Sequence, residues 1–465
     1  MDHAVPLMEM LRAREARAMR QQQLLEEYQF PVISFCLNIA GPVKNSPVLR
    51  RTFQEGLERL ACALLAGRLD IMHREEVDEP TGCEALWVVQ GDGRTVKELC
   101  VELEDRDALG RLLDLDVLDP VNGKWDRTQL GQPPRKCLVC GKAGKGCASR
   151  RLHTVKELQS ATQAILEEYF SKKDQMALGS LAAKALLYEV CTTPKPGLVD
   201  RANNGSHRDM DMFTFLDSTA ALLPYFEEAV RLGQETRSLP PQETFRRLRQ
   251  AGVAGERAMF RATHGVNTHK GAVFTLGTVC AAAGRLWTAE GFSQAPETIL
   301  AVCGAMSTQA VAADFAAIHS GKPLTAGQRL YLEQGLEGIR GELARGLPAV
   351  AQIGLPILRA HLAQGASLEQ AGVQVLLTLM AQVVDTNLIA RGGREGQQWA
   401  MEKAKALTQG RTVSRWEAED LDQALIKRNL SPGGCADLLA ITYFLHFMGK
   451  CSTPPFGPGA ALDRS

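Results

Sequence analysis

Two aspartates spaced two residues apart in an apolar run, and a loop crowded with cations, acids and a histidine, are the parts of this chain whose residue types suit chemistry. The run is Leu112-Leu113-Asp114-Leu115-Asp116-Val117-Leu118-Asp119. Side chains alternate along a strand, so Asp114 and Asp116 share one face, roughly 7 Å apart, while Leu113, Leu115 and Val117 enter a core. Paired carboxylates of this kind hold divalent cations, which neutralise and orient a polyphosphate during phosphoryl or nucleotidyl transfer. The competing reading is an edge strand that shows its acids to water. The loop begins Thr193-Pro194-Lys195-Pro196-Gly197-Leu198-Val199-Asp200 and continues through His207, Arg208 and Asp209 to Asp211. Its Pro, Gly and Asn residues rule out regular helix or strand, and the charged groups beside them suit phosphate and metal. A solvated surface loop is the alternative.

Three further constellations carry weaker signals. Gly265-Val266-Asn267-Thr268-His269-Lys270-Gly271 leads into the helical pattern of Ala272, Val273, Leu276 and Val279. Backbone amides at a helix start attract anions, and Lys270 adds a full charge, although simple capping gives the same pattern. Gly41-Pro42-Val43-Lys44 turns a strand into a helix opened by Ser46 and Pro47; phosphate can use such a seat, and many similar turns hold no ligand. Cys137-Leu138-Val139-Cys140, followed by Cys147 and His153, offers three thiolates and an imidazole to zinc, against reduced thiols in a basic loop.

Two kinds of scaffold must position these groups. The first third reads as α/β: an amphipathic helix up to about Gln29, an alternating strand over 32–39, and a helix from Ser46 to Gly67. A strand at Leu86-Trp87-Val88-Val89, a helix through Val96, Cys100 and Leu103, and the Asp114 strand follow. From about Ala161 strand alternation all but vanishes. One helix through Leu178, Leu186 and Val190 carries Glu189 on its last turns and must stop before Pro194. Another runs from Met212 to Val230 with Pro224 as a kink. A helix over 373–390 ends in Asp385-Thr386-Asn387, with Arg391 after it. The last helix opens with Ser431 as cap and Pro432 as first residue, and carries Asp437. The expected architecture is multidomain, an N-terminal α/β domain followed by a larger all-α domain without a fixed-period repeat.

Bulk properties agree with that division. The chain has 465 residues, too many for one ordinary core. Lys plus Arg and Asp plus Glu each number 53, which argues against a non-specific nucleic-acid binder or a polybasic membrane binder. No uninterrupted membrane span or signal-peptide core stands out, so a cytoplasmic enzyme whose twelve cysteines are mostly reduced is expected.

The segments from about 180 to 445 resemble the triphosphoribosyl-dephospho-CoA synthase family. The resemblance rests on Glu189-Val190, the Pro194–Asp200 run, Asn204-Gly205-Ser206-His207 with Asp209-Met210, Asn267-Thr268-His269-Lys270-Gly271, Asp385-Thr386-Asn387, and Ser431-Pro432-Gly433-Gly434 with Asp437. Those from about 15 to 165 resemble the holo-citrate lyase synthase family, through Leu37-Asn38-Ile39-Ala40-Gly41-Pro42-Val43-Lys44, Gly110-Arg111-Leu112 with Asp114-Leu115-Asp116-Val117, and Arg135-Lys136-Cys137-Leu138 with Cys140, Cys147, Arg150 and His153. The resemblance implies a nucleotidyltransferase-like phosphoribosyl-dephospho-CoA transferase domain over 1–165, a triphosphoribosyl-dephospho-CoA synthase domain over 170–450, and a tail over 451–465.

It also implies two reactions. ATP and 3'-dephospho-CoA would join through attack of a ribose 2'-hydroxyl on C1 of the ATP ribose, with adenine leaving. The phosphoribosyl-dephospho-CoA would then pass to a serine of the acyl carrier (gamma) subunit of citrate lyase, with pyrophosphate leaving. In that scheme Glu189, Asp200 and Asp209 stabilise the oxocarbenium-like state or hold Mg²⁺, with His207 handling protons. Lys195, Arg208, Lys270 and Arg391 clamp the triphosphate, with Asn267, His269, Asp385, Asn387 and Asp437 completing the substrate site. Asp114 and Asp116 hold Mg²⁺ in the other domain, and Lys44 or Arg111 its phosphates. The Asn-Ile-Ala-Gly-Pro-Val-Lys run favours citrate lyase over malonate decarboxylase, whose carrier takes the same group. A helical nucleotide-binding regulator with a zinc module is the non-catalytic alternative.

Overall fold

The structure is a computed structural model that describes residues 4–451 apart from 143, 293 and 319–323. The expected tail over 451–465 lies, beyond Cys451, outside the described residues. The chain divides into two compact units. One comprises Met1–Lys172 with Thr288–Gly291, the other Lys173–Trp287 with Phe292–Ser465.

The first unit runs α1 (Leu7–Tyr28), β1 (Val32–Leu37), α2 (Pro47–Ala66), β2 (Asp70–Glu79), β3 (Gly82–Gln90), α3 (Gly93–Asp105), β4 (Leu113–Asp119), β5 (Gly123–Trp125) and α4 (Gly144–Ser149). Its five strands form one sheet in the order β2-β3-β1-β4-β5, every neighbouring pair antiparallel. Alternation in β1 sends Ile33 and Phe35 into a core with Phe53, Leu57 and Leu60 of α2 and Val96 and Cys100 of α3. Phe35 stacks on Phe53 with centroids 4.6 Å apart. Ser46 caps α2 by accepting from the Leu49 amide, with Pro47 at the first turn, as read from the sequence. On the opposite face, Leu24 of α1 covers Val32, Leu86 and Val88. The sequence reading had not included β2. Its residues Asp70 to Glu79 are charge-rich and mostly exposed, because it is an edge strand with little apolar alternation to announce it.

The second unit is helical: α5 (Val155–Cys191), which begins in the first unit, then α6 (Met212–Glu235), α7 (Pro241–Ala262), α8 (Lys270–Arg285), α9 (Pro296–Ala316), α10 (Ala326–Gln334), α11 (Gly338–Ala344), α12 (Leu355–Ala363), α13 (Leu368–Gln382), α14 (Thr386–Thr408), α15 (Arg415–Lys427) and α16 (Gly433–Cys451). The centre is made by helices that are apolar nearly all round. Leu438, Leu439, Ile441, Tyr443 and Phe444 of α16 are all buried, as are Val375, Leu376, Leu377 and Leu379 of α13. Helix α9 is long and apolar enough to cross a membrane by length and composition alone, yet its Ile299, Leu300, Cys303 and Met306 belong to this core.

Pro224 lies inside α6, and one local reading changes. The expected helix over 373–390 is two helices: α13 stops at Gln382, and Asp385 caps α14 by accepting from the Asn387 amide at 2.8 Å. Asp385 therefore opens a helix instead of ending one.

Candidate active sites

Burial along β4 alternates strictly, so Leu113, Leu115 and Val117 anchor the strand while Asp114 and Asp116 project from it. Both acids line a cavity of about 930 Å³ with Asn38, Arg111, Lys124, Arg135, Lys136 and Arg151. Lys124 Nζ lies 2.5 Å from Asp116 Oδ2, and Arg135 Nη1 lies 3.4 Å from Asp114 Oδ1. The strand segment between the two acids is fixed by two buried charged groups. Buried Lys97 donates to the Leu115 carbonyl at 2.7 Å, and buried Glu104 accepts from the Leu115 amide at 2.9 Å. Burial pushes the Glu104 carboxyl up from its ordinary range, opposed by the charge of Arg135. Paired acids inside a ring of cations can receive a polyphosphate together with a divalent ion.

Arg111 keeps its place in this wall and donates to the Lys136 carbonyl. Lys44 does not. Its Nζ turns back onto the Ile39 carbonyl at 2.5 Å and closes its own turn, outside the cavity lining. Arg135, which matters more, was visible in sequence only as part of the resemblance. Its guanidinium also donates to the carbonyls of Leu113 at 2.6 Å and Arg111 at 3.1 Å. The donor atoms of Cys137, Cys140, Cys147 and His153 converge, all within 4.8 Å of one another.

In the helical unit, the end of α5, the Pro/Gly loop, the start of α8, the start of α14 and the start of α16 surround a cavity of about 360 Å³. Glu189, Lys195, His207, Asn267, His269, Lys270, Asp385, Asn387, Arg391 and Asp437 all line it. Lys270 is half-exposed there, 3.2 Å from Glu256. Asp437 packs so closely on the α8 start that a Cβ at Gly271 would lie 1.9 Å from its Oδ2. Only glycine admits that approach.

Three expected site residues fall elsewhere. The Asp200 carboxylate is used by its own loop, accepting from the amides of Lys195, Ala202 and Asn203 at 2.9, 2.7 and 3.0 Å, and it lies outside the cavity lining. Arg208 and Asp209 are exposed and also outside the lining. Lys195 lines the cavity, but it is buried against Glu189 with Nζ 2.5 Å from Oε1, so the pair neutralises itself instead of presenting a free cation and a free acid. Asp200 is taken up in this way because a Pro/Gly loop with no ladder of its own must satisfy its amides with side chains.

Burial and like charge set the protonation of this cavity. Burial, then the charges of Glu189 and Asp385, push the Asp437 carboxyl well above its ordinary range. Burial also raises Glu189, against the opposing charge of Lys195, and raises Asp385 although the amides of Cys435 and Asn387 hydrogen-bond it. Burial, with Arg391 beside it, lowers His207 to about 4. Arg391 Nη2 lies 3.2 Å from His207 Nδ1, and a guanidinium only donates, so Nε2 carries the proton and donates to Ser431 Oγ at 2.9 Å. His207 is thus neutral near pH 7 and holds Arg391 and Ser431 in place. Burial, then Lys195, lowers His269 to about 3. Its Nδ1 meets Ser218 Oγ at 2.7 Å, and its Nε2 is buried without a partner.

The sequence reading missed Asp422 and misjudged Ser431. From α15, Asp422 accepts from the Gly197 amide at 2.9 Å and from Asn203 Nδ2 at 2.8 Å, pinning the loop. It sits in an ordinary helical pattern that gave no signal. Ser431 was read as a cap, whereas its hydroxyl serves His207.

The two units thus each hold a candidate site, paired acids in a basic cavity on a sheet and clustered carboxylates among cations in a helical body, and the families they match are those of a bifunctional transferase. Residues 175–455 match the family described as CitG, ATP:dephospho-CoA triphosphoribosyl transferase, and residues 5–169 match CitX, apo-citrate lyase phosphoribosyl-dephospho-CoA transferase. "Protein CitXG" of Leuconostoc mesenteroides subsp. cremoris is 37% identical over 94% of this chain and 96% of its own. "Protein CitXG" of Haemophilus influenzae is 36% identical over 96% and 97%. The 2-(5''-triphosphoribosyl)-3'-dephosphocoenzyme-A synthase of Pectobacterium atrosepticum is 42% identical over 62% of this chain and 94% of its own. A crystal structure of a triphosphoribosyl-dephospho-CoA synthase candidate from Archaeoglobus fulgidus, 19% identical, covers 50% of this chain and 98% of its own at a TM-score of 0.32. The chain belongs to the fused CitX–CitG family. It makes triphosphoribosyl-dephospho-CoA from ATP and dephospho-CoA and transfers the prosthetic group to apo-citrate lyase.

Proposed function

We propose that the helical cavity carries the adenine-releasing step and the sheet cavity the loading of a serine on the acyl carrier (gamma) subunit of citrate lyase. The single observation that carries the first assignment is the Asp437 carboxyl, set into the cavity wall against Gly271, where burial and the charges of Glu189 and Asp385 push it well above its ordinary range. Adenine is a poor leaving group unless a ring nitrogen gains a proton as the C1–N bond breaks. Asp437 supplies that proton, the 2'-hydroxyl oxygen of dephospho-CoA forms the new bond to C1, and the hydroxyl proton passes to the carboxylate cluster. As cation character develops at C1, the negative charge left on Asp437 stabilises it. Lys270 and Arg391 bind the triphosphate, and His269 Nε2–H, otherwise unpartnered, donates to the bound nucleotide.

In the sheet cavity, Asp114 and Asp116, paired on one strand face, would hold a Mg²⁺. When bound, such an ion would supply charge neutralisation for departing pyrophosphate. Arg111, Arg135, Lys136 and Arg151 bind the leaving group's oxygens, and the two aspartates orient the ion from one strand face. This is a nucleotidyltransferase-like use of the fold. A structural Zn²⁺ on Cys137, Cys140, Cys147 and His153 and a cytoplasmic location belong to the same reading, as does a domain division over 1–165 and 170–450.

The test is one reaction in two stages. The full chain is mixed with ATP and dephospho-CoA and followed for free adenine, and the apo-carrier of citrate lyase is then added. Adenine release followed by a mass increase on the carrier serine is expected. ATP binding without adenine release would reduce the helical unit to a nucleotide sensor.

A further inference from the structure

The transfer steps proposed above do not use the Cys/His cluster, although Cys137, Cys147 and His153 line the Asp114 cavity, and three observations point to a bound ion. Its donor atoms lie within 4.8 Å of one another, as the corners of one tetrahedral site do when metal–sulfur bonds are about 2.3 Å. Cys140 and Cys147 Sγ are 3.4 Å apart, far beyond the roughly 2.05 Å of a disulfide. The backbone also closes a tight turn around the first two cysteines, with the Cys137 amide donating to the Lys142 carbonyl at 2.7 Å. Gly141, directly after the second cysteine, turns at φ 69° and donates to the Cys137 carbonyl at 3.0 Å. Finally, His153 Nε2 is buried with no hydrogen-bond partner, an arrangement that costs about 1–3 kcal/mol when nothing else satisfies it.

The same segment has almost nothing else to hold it. Among the described residues from 131 to 160, only Cys137 and Cys147 are buried. Its near end is tied to the sheet by Arg135 on the Leu113 carbonyl and by Arg111 on the Lys136 carbonyl. Arg151, between Cys147 and His153, nevertheless lines the cavity of Asp114 and Asp116. We propose that Cys137, Cys140, Cys147 and His153 bind one Zn²⁺, and that this ion is a positioning element of the transferase cavity, holding Arg135, Lys136 and Arg151 as its cationic wall. Three sulfurs and one nitrogen in a tetrahedral set select zinc over the hard cations, and four protein ligands leave no open position for catalysis at the ion. Cross-linking the ends of a coreless segment is what such an ion does best.

The proposal rests on the transferase reading only for what fills the cavity, and its test is arranged accordingly. Metal analysis of the purified full chain should give one zinc per chain, lost in the Cys137→Ser/Cys147→Ser double variant. Stripping zinc from the wild type with a mercurial and a chelator covers the case where the variant fails to fold. Backbone hydrogen exchange of 135–153 should then accelerate about tenfold or more, with β4 and the helical unit unchanged. The KM for triphosphoribosyl-dephospho-CoA should rise about tenfold, as expected when charged hydrogen bonds are lost, with a smaller change in kcat. A wild type that carries and takes up no zinc, exchange of 135–153 indifferent to stripping, or an unchanged KM would each overturn the proposal. If zinc content and exchange behave as expected but the loaded wild type transfers nothing to carrier, the transferase reading falls and the zinc site stands.

Discussion

At the scale of single residues, the helical site is decided by which polar groups are already satisfied. Asp200 has the right type and the right loop, but three backbone amides use it, whereas Asp437 lines the cavity and is pushed well above the ordinary carboxylate range. Replacing Asp437 with Asn keeps the shape and removes the transferable proton. The kcat for adenine release should fall roughly 100-fold or more while ATP binding, measured by calorimetry, persists. An equal loss of binding would make Asp437 a substrate contact only. His269 makes a second residue-scale prediction. Its folded pKa, about 3, lies below its ordinary value of 6.5, so the folded state resists its protonation. That resistance costs nothing above about pH 6.5 and removes stability as pH falls from there towards 3. The buried acids, raised in the fold, act in the opposite direction, so the comparison must be between variants. Wild-type Tm should fall more steeply below pH 6.5 than that of His269→Asn, and parallel curves would contradict it.

At the scale of elements, close packing between helix starts sets the geometry of the site. Gly271, in the first turn of α8, has Asp437 of α16 where a Cβ would stand. Gly271→Ala should therefore push the carboxylate away, costing about 1–3 kcal/mol and lowering adenine release, read by melting and by the adenine assay. Asp422 of α15 makes the corresponding case for the loop. Asp422→Ala leaves the buried Gly197 amide without its acceptor and should cost about 1–3 kcal/mol, with KM for ATP rising as Lys195 and His207 lose their frame. A melting point within error of wild type would show that the loop is held without it. Sequence made Gly271 conspicuous as part of a polar helix start, but gave Asp422 no distinction from any other acid on an amphipathic helix.

At the scale of the whole molecule, two sites in two units predict separable losses. Asp114→Asn should abolish carrier loading while adenine release continues; Lys270→Ala should stop adenine release and spare transfer of supplied intermediate. Loss of both reactions in either variant would contradict independent centres. Local pattern was enough for much of this protein. The period-two run around Asp114 can place its acids on only one face, and the proline-rich loop can only end α5. The motif blocks identified both families. Tertiary structure decided the rest, because the sequence does not show where a side chain's hydrogen bonds go. It turned Lys44 onto its own turn, paired Lys195 with Glu189, gave Asp200 to backbone amides, and brought Asp437 against Gly271 from across the chain. Backbone pattern is a local property, whereas which charged group remains free depends on every neighbour that burial brings to it.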